Sequence, residues 1–255
     1  MSRTARAARW SPPIVRVSLA TVGFALARSH ALARGAAPTR SAAPLRAPPR
    51  MRPSGRSPSS AGTLRAPTVV EGGGRVKGVV FTELMEMLRG AHSMETIEEL
   101  LDACELPSGG AYTTLGTYDV AELHAILDEL GRRTSADAPA LLHTFGRHLF
   151  HAFRAQHPRF FADVTGTLDL LRRVEDEIHV EVRKLYPEAE LPSFACSEPI
   201  LGDFILEYRS SRGLADLAAG LIDASIEHHD ESLVVERRDL SGGHNTHVIF
   251  NLRRT

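Results

Sequence analysis

The feature that most constrains the fold is an abrupt change of composition near residue 75. Residues 1–75 contain thirteen arginines, no lysine and one acidic residue, Glu71, and therefore carry a net charge of +12. They are otherwise rich in alanine, proline, serine and glycine, and such a segment does not bury enough apolar surface to offset the entropy of the chain. We therefore predict a disordered leader over residues 1–75 and a folded domain over residues 76–255.

Three interpretations of the leader are open. Residues 14–27, which follow an arginine-rich start, resemble a secretory signal peptide. The arginine-rich, serine-rich and acid-poor composition also resembles an organelle transit peptide. In the third interpretation the start codon is placed too far upstream, and translation begins at Val76 from an alternative initiation codon, so that the native protein lacks residues 1–75.

The folded domain is acidic. Because the whole chain has a net charge of −1, residues 76–255 carry −13. An acidic surface repels nucleic acids and anionic lipids, so we expect neither a nucleic-acid nor a membrane partner. No run of eighteen apolar residues is present, and the sequence therefore predicts no transmembrane helix. The two cysteines, Cys104 and Cys196, make no disulfide framework and favour the cytoplasm, although a single bridge between them stays open.

Helical periodicity dominates the first part of the folded domain, where apolar residues recur at spacings of three and four. Five helices are predicted here. The first begins at residue 79, the second covers 94–104, and the third covers 120–132 with Asp119 as N-cap. The fourth extends from Ser135 or Asp137 to about residue 153, and the fifth covers 164–186. Towards the C terminus a helix over 214–226 is set among alternating segments typical of strands, which cover 204–208, 232–238 and 247–252. This order predicts an α+β domain.

His179 is the first candidate binding residue. It lies on the flank of the apolar face of the predicted 164–186 helix, between Ile178 and Val182. A lone histidine in such a position is most often a structural residue satisfied by a hydrogen bond. A neutral imidazole beside an apolar wall is also what a five-coordinate heme iron needs on its proximal side, so the residue alone does not decide between the two.

Tyr208, Ser210 and Arg212 form the second candidate feature. They alternate in a segment predicted to be extended, and the two-residue period of a strand would point all three side chains to the same side. The planar guanidinium of arginine suits a carboxylate, and the two hydroxyls add donors beside it. We call these three residues the triad. They could hold the two propionates of a heme, or they could belong to an ordinary strand with a partly buried tyrosine and a surface arginine.

In combination these residues resemble the heme nitric oxide/oxygen-binding (H-NOX) family, which is related to the heme sensor domain of soluble guanylate cyclase. The resemblance extends from Val76 to the C terminus, and the triad begins 29 residues after His179, a spacing similar to that of family members. The other motifs that carry it are Lys77-Gly78, Phe145-Gly146, Glu177-Ile178-His179 and Leu191-Pro192-Ser193-Phe194. It implies an H-NOX fold, with an N-terminal helical part followed by long helices that pack with a small antiparallel sheet around a buried heme.

The resemblance also implies roles for single residues. His179 would be the axial ligand of heme b, that is, ferrous protoporphyrin IX, and the triad would hydrogen-bond the propionates. Pro192 matches a family proline that presses on the porphyrin and distorts it. Phe153 matches an aromatic residue in the heme environment.

The distal side of the implied heme pocket bears on the choice of ligand. Oxygen-binding members of the family carry a distal tyrosine nine positions after the triad tyrosine, and Leu217 occupies that position here. Leu84 and Leu149 stand where those members have a tryptophan and an asparagine, and Val80 and Leu221 complete an apolar wall. Bound dioxygen is helped by a hydrogen-bond donor, whereas nitric oxide binds iron tightly without one. We therefore expect a five-coordinate ferrous heme that binds nitric oxide and carbon monoxide but forms no stable oxygen complex.

The functional hypothesis is a stand-alone bacterial gas sensor with no catalysis of its own. Because no kinase or cyclase sequence follows up to Thr255, the expected partner is a separate effector, in family terms a histidine kinase or a cyclic-dinucleotide enzyme. A heme enzyme or heme carrier is the first alternative, disfavoured because the apolar distal side offers no acid–base group. The second alternative is a heme-free protein-interaction domain, which would be colourless when purified.

Overall fold

The computed structural model describes residues 74–255, so the prediction of a disordered leader lies outside the described residues except at its last two positions. Within them the chain forms seven α-helices: α1 (Gly78–Ala91), α2 (Met94–Asp102), α3 (Val120–Thr134), α4 (Ala138–Gln156), α5 (Thr167–Arg173), α6 (His179–Leu185) and α7 (Ala215–His228). The strands are β1 (Arg75–Lys77), β2 (Thr117–Asp119), β3 (Ser193–Ile200), β4 (Asp203–Arg209), β5 (Leu233–Asp239) and β6 (His247–Arg254). In this part of the chain no helix has the length and apolar character needed to cross a membrane.

The strands make two separate antiparallel sheets. Four of them are ordered β3-β4-β6-β5, and the short strands β1 and β2 pair with each other. Alternate residues of the larger sheet, among them Phe204, Leu206 and Phe250, are buried and pack with Ala218 and Ile222 of α7. Helices therefore come first and a sheet with one embedded helix comes last, which confirms the predicted α+β class.

A helical core lies among α1, α3 and α4. Phe81 of α1, Leu123 and Leu127 of α3, and Phe145 of α4 are fully buried there. Two carboxylates fix where the helices begin: Asp119 accepts a hydrogen bond from the amide of Ala121, and Asp137 accepts one from the amide of Ala140. The predicted N-cap Asp119 is confirmed, and Asp137 rather than Ser135 starts α4.

Helices α4 and α7 approach so closely that their backbones touch at two glycines. A Cβ atom at Gly146 would lie 2.1 Å from the carbonyl oxygen of Leu217, and one at Gly220 would lie 2.0 Å from the carbonyl oxygen of His143. Both distances are far below van der Waals contact, so the packing admits only glycine at either position. The contact brings the apolar faces of the two helices to one side of the same cavity.

The segment before β4 differs from its prediction. Residues 193–200, where the sequence predicted no strand, form the edge strand β3 although Pro192 precedes them and Pro199 lies among them. Proline is tolerated on an edge strand and at a bulge, and the pairing with β4 shifts register between Ser197 and Ile200, around Pro199. The strands β1 and β2 were also not predicted, because three residues are too few for an alternating pattern to stand out.

The predicted helix over 164–186 is shorter than expected and is interrupted. It begins at Thr167, after Gly166, and the backbone widens into one π-helical turn over Val174–Ile178. The amide of His179 accordingly donates to the carbonyl of Val174, five residues earlier. A π-helical turn rotates the residues that follow it relative to a regular helix and often occurs at a functional site. His179 is the first residue after it.

Asp239 organises the connection between β5 and β6. Its carboxylate accepts hydrogen bonds from the hydroxyl and the amide of Ser241 and, at 2.7 Å, from the amide of Gly243. These bonds favour the charged form, and with the Ser241 hydroxyl as the largest cause they lower the pKa of Asp239 to about 2. The turn is therefore stabilised only while Asp239 is ionised.

We expect Gly146→Ala to lower the free energy of unfolding by about 3 kcal/mol, because the new methyl group must push apart two helix backbones. Gly90→Ala is the matched control, since a Cβ atom there has no neighbour within 4 Å. The control should be neutral or slightly stabilising because alanine is the better helix former. Denaturant unfolding of both variants measures the difference, and an equally stable Gly146→Ala variant would contradict the close approach.

We expect Asp239→Asn to destabilise the protein at neutral pH and to matter less in acid. The pKa of Asp239 is about 2 in the folded chain and about 3.9 in the unfolded chain. Its stabilising effect is therefore complete above about pH 5 and is lost as the pH falls towards the folded pKa. Urea unfolding at several pH values should show that the difference in free energy of unfolding between wild type and Asp239→Asn becomes smaller as the pH falls from about 5 to 3. If this difference in free energy of unfolding does not change with pH, the charge of the Asp239 carboxylate is not its cause.

Candidate functional site

A cavity of about 450 Å³ is enclosed by residues of α1, α4, α6, α7 and β4, among others. This volume is within the range of about 300–1,000 Å³ that is usual for small-molecule and cofactor sites. Nine predicted site residues line it: His179, Tyr208, Arg212, Pro192, Phe153, Val80, Leu149, Leu217 and Leu221. Two do not. Leu84 is fully buried in the helical core, and Ser210 lies next to Arg212 without lining the cavity.

His179 presents one ring nitrogen to Glu175, and its other ring nitrogen has no hydrogen-bond partner among the described residues. Its Nδ1 atom lies 3.0 Å from Oε2 of Glu175, and since a carboxylate only accepts, Nδ1 carries the proton. Among residues 74–255 no group hydrogen-bonds to Nε2 of His179. Burial lowers the pKa of His179, and the Glu175 carboxylate opposes this only in part. The imidazole is thus neutral near pH 7, with the lone pair of Nε2 available to a metal.

The triad is brought together by a turn. Strand β4 ends at Arg209, so Ser210 and Arg212 lie beyond the extended segment. The amide and Nε of Arg212 donate to Oγ of Ser210 at 3.3 and 3.1 Å. The prediction that one extended segment carries all three residues is wrong, because the chain turns after Ser210, whose amide still donates to the carbonyl of Thr246 at 2.9 Å. Tyr208 and Arg212 still reach the cavity, while Ser210 supports Arg212 from the side.

Arg212 is a buried cation without an ion-pair partner in the described part of the chain. It is 9% exposed, and no carboxylate lies within 4 Å of its guanidinium. Beyond Ser210, the one acceptor of its guanidinium among residues 74–255 is the carbonyl oxygen of Arg75, at 3.4 Å. Burial lowers the pKa of Arg212, and the nearby Tyr208 and Glu190 offset only part of this. Since an unpaired buried charge is costly, the cavity suits a ligand that brings its own carboxylate.

The wall contributed by α1, α4 and α7 has no hydrogen-bond donor at the predicted positions. Val80, Leu149, Phe153, Leu217 and Leu221 carry only hydrocarbon side chains, and Phe153, Leu217 and Leu221 pack against the helical core. This wall and the polar groups of His179 and Arg212 give the cavity two chemically different parts.

Two polar residues of α4 and α7 that also line the cavity are engaged elsewhere. Nε2 of Gln156 donates to Glu83 at 2.7 Å, and Oγ of Ser225 donates to Oγ1 of Thr167 at 3.1 Å. Neither side chain can turn to a ligand without giving up a partly or fully buried hydrogen bond. The apolar character of the wall is therefore maintained by these partners as well as by its leucines.

A model of the haem-NO-binding family matches residues 77–237. The chain belongs to this family. The H-NOX protein from K. algicida, solved in the Fe(II) unliganded state, is 30% identical, with a TM-score of 0.66 over 71% of this chain and 97% of that one. The H-NOX from Shewanella woodyi, bound to IWP-051 in the Fe(II)CO ligation state, is 38% identical, with a TM-score of 0.62 over 71% of this chain and 95% of that one.

A third structure agrees in fold alone, since it is 24% identical: the H-NOX protein from S. oneidensis in the Fe(II)NO ligation state, with a TM-score of 0.65 over 71% of this chain and 99% of that one. Comparison with curated proteins gives no match. The predicted family and the predicted H-NOX fold are confirmed. At the level of the H-NOX family, membership indicates heme binding and heme-based gas sensing. The roles predicted for individual residues stay predictions.

Sequence reasoning missed Glu175 and the backbone of Phe194, both of which contact the His179 region. An acid four residues before a helical histidine is the one signal that points to Glu175. The contact with Phe194 depends on β3, which the sequence did not predict.

We expect Arg212→Met to raise the free energy of unfolding of the heme-free protein by about 1–2 kcal/mol, because it removes a buried charge that has no partner. Arg209→Met is the matched control, since Arg209 is an exposed residue of β4 paired with Glu207. Loss of such a surface pair should change stability by less than about 1 kcal/mol. Denaturant unfolding of the apoprotein checks this, and a strongly destabilised Arg212→Met apoprotein would show that Arg212 has an intramolecular partner.

Proposed function

We propose that the chain is a heme-based nitric oxide sensor in which His179 ligates a ferrous heme b. The observation that supports this best is the content of one cavity: a neutral imidazole with a free Nε2, an unpaired buried arginine and an apolar wall. Heme, when bound, supplies a ferrous iron with an open position for a diatomic gas. The protein's own residues determine where the heme binds and which gas remains bound to it.

The donor set fits the two ends of a heme. Nε2 of His179 has the lone pair that an iron ligand needs, because Nδ1 holds the ring proton. Arg212 offers the charge and the planar donors that a propionate requires, and Tyr208, buried beside it, adds a hydroxyl. Ser210 acts indirectly, by holding Arg212. Pro192 and Phe153 line the same cavity and would bound the ring of the heme.

We assign the choice of ligand to the apolar wall. Val80, Leu149, Leu217 and Leu221 have no donor for bound dioxygen, whereas nitric oxide and carbon monoxide do not depend on one. Leu84, predicted to be part of this wall, lies in the helical core and acts by packing alone. The Fe(II)CO ligation state in which the S. woodyi relative was solved supports this proposal.

We further propose that the segment over 167–185 transmits the signal to a separate effector, such as a histidine kinase or a cyclic-dinucleotide enzyme, in a bacterial cytoplasm. Release of His179 would allow this segment to move as a unit, because His179 follows directly on its π-helical turn. Val180 and Leu185 on α6 are 36% and 65% exposed, which gives the moving helix an apolar surface. Catalysis is not part of the proposal, since the wall side chains Val80, Leu149, Phe153, Leu217 and Leu221 include no acid–base group.

We expect the purified ferrous protein to be coloured and to shift its Soret band with nitric oxide and with carbon monoxide. In air it should show no lasting oxygen spectrum. His179→Ala should lose most of its heme, since the axial ligand is gone, whereas His244→Ala, at an exposed position after the Gly242-Gly243 turn, should keep the wild-type spectrum. Absorption spectroscopy and heme content per chain measure all of these.

Each alternative has its own outcome in the same experiment. A colourless wild-type protein from heme-sufficient cells would favour an interaction domain without cofactor. Rapid peroxide turnover would favour a heme enzyme. A stable oxygen spectrum would leave heme binding intact and refute the assignment of ligand choice to the wall.

A further inference from the structure

Glu175 joins three parts of the protein around His179. Its Oε2 atom lies 3.0 Å from Nδ1 of His179 and accepts a hydrogen bond from the amide of Phe194 at 3.2 Å. Its Oε1 atom accepts from Nη2 of Arg183 at 2.6 Å. One carboxylate therefore connects the histidine, the next turn of its helix and the edge strand β3.

This contact sets the chemistry of the His179 ring. A carboxylate can only accept, so its partner nitrogen must keep its proton, and the tautomer with a free Nε2 is selected. The second bond, from Phe194, ties the same oxygen to a strand outside the helix. The ring is thereby oriented relative to the sheet as well as to its own helix.

We propose that Glu175 is a positioning residue for His179, which selects its tautomer, orients Nε2 at the cavity and increases electron donation from the imidazole to a bound metal. The inference rests on the proposed heme-binding function. A carboxylate partner raises the basicity of a metal-bound histidine, and its loss typically lowers metal affinity by about 10- to 100-fold.

The same contacts make Glu175 a restraint on the movement of His179. The ring of Phe194 lies 5.7 Å from that of His179 and 5.5 Å from that of Tyr208, measured between centroids. A shift of His179 with its helix must stretch or break the bond between Glu175 and the backbone of β3. Glu175 would therefore oppose release of His179 from a bound iron, and removal of Glu175 would make this release easier.

The iron–histidine stretching frequency of the ferrous protein, measured by resonance Raman spectroscopy, tests the proposal. It should fall in the order wild type, Glu175→Gln, Glu175→Leu, because the amide oxygen of glutamine is a weaker acceptor and leucine is none. Heme transfer to excess apomyoglobin should be about tenfold faster for Glu175→Leu than for wild type. Glu177→Gln removes the same charge from an exposed position two residues before His179 and should leave the frequency unchanged.

A second measurement covers the case in which Glu175→Leu does not fold. In His179→Gly, free imidazole can occupy the vacated space and donate its N–H to Glu175, whereas 1-methylimidazole has no such donor. Imidazole should bind several-fold more tightly relative to 1-methylimidazole when Glu175 is present than in the double variant with Glu175→Gln. The comparison between backgrounds cancels any effect of the extra methyl group.

The outcomes separate the two proposals. If wild type, Glu175→Gln and Glu177→Gln all bind heme with the same stretching frequency, or the imidazole preference persists without Glu175, the positioning role is overturned and heme sensing stands. If the wild-type protein binds no heme, the proposed function fails and this inference fails with it.

Discussion

The close backbone contact between α4 and α7 is the constraint on which the rest of the domain depends. Gly146 and Gly220 let the two helices touch, and no larger residue fits at either position. Helix α7 then packs on the sheet through Ala218 and Ile222, so one helix serves both cores. The cavity lies where these surfaces diverge, and its apolar wall is built from leucines of the two helices that the glycines bring together.

The same cavity also contains two polar groups, Arg212 and His179, that do not hydrogen-bond to each other. Arg212 is buried without a carboxylate partner in the described chain, and His179 is held neutral by burial. Arg212 reduces the stability of a ligand-free domain, because a lone charge in an apolar setting has lost its water, and Nε2 of His179 has no hydrogen-bond partner among residues 74–255. A ligand with an anionic edge and a metal centre would satisfy both at once. Such local violations of folding rules are concentrated at functional sites in natural proteins.

Much of the fold could be predicted because it depends on local patterns. Helical periodicity located α1 to α4 and α7, and the N-cap Asp119 set the start of α3. Strand β3 was missed because Pro192 and Pro199 argue against a strand, and only tertiary context shows that an edge position and a bulge tolerate them.

The site was predictable to the extent that its residues repeat a family motif. Leu84 was assigned to the wall from its place in the sequence, yet helix geometry turns it into the core. Glu175 was missed for the opposite reason, since its importance comes from contacts with Arg183 and Phe194 that depend on the π-helical turn and on β3. Pairings of this kind arise only when distant segments have folded together.

We propose that the cavity holds a heme whose iron is bound to Nε2 of His179. A crystal structure of the heme-loaded protein, with anomalous diffraction collected at the iron absorption edge, tests this directly. We expect one iron peak in the cavity within bonding distance of Nε2 of His179, with a propionate at Arg212. An iron peak bound to another residue, or its absence from heme-supplemented crystals, would contradict it.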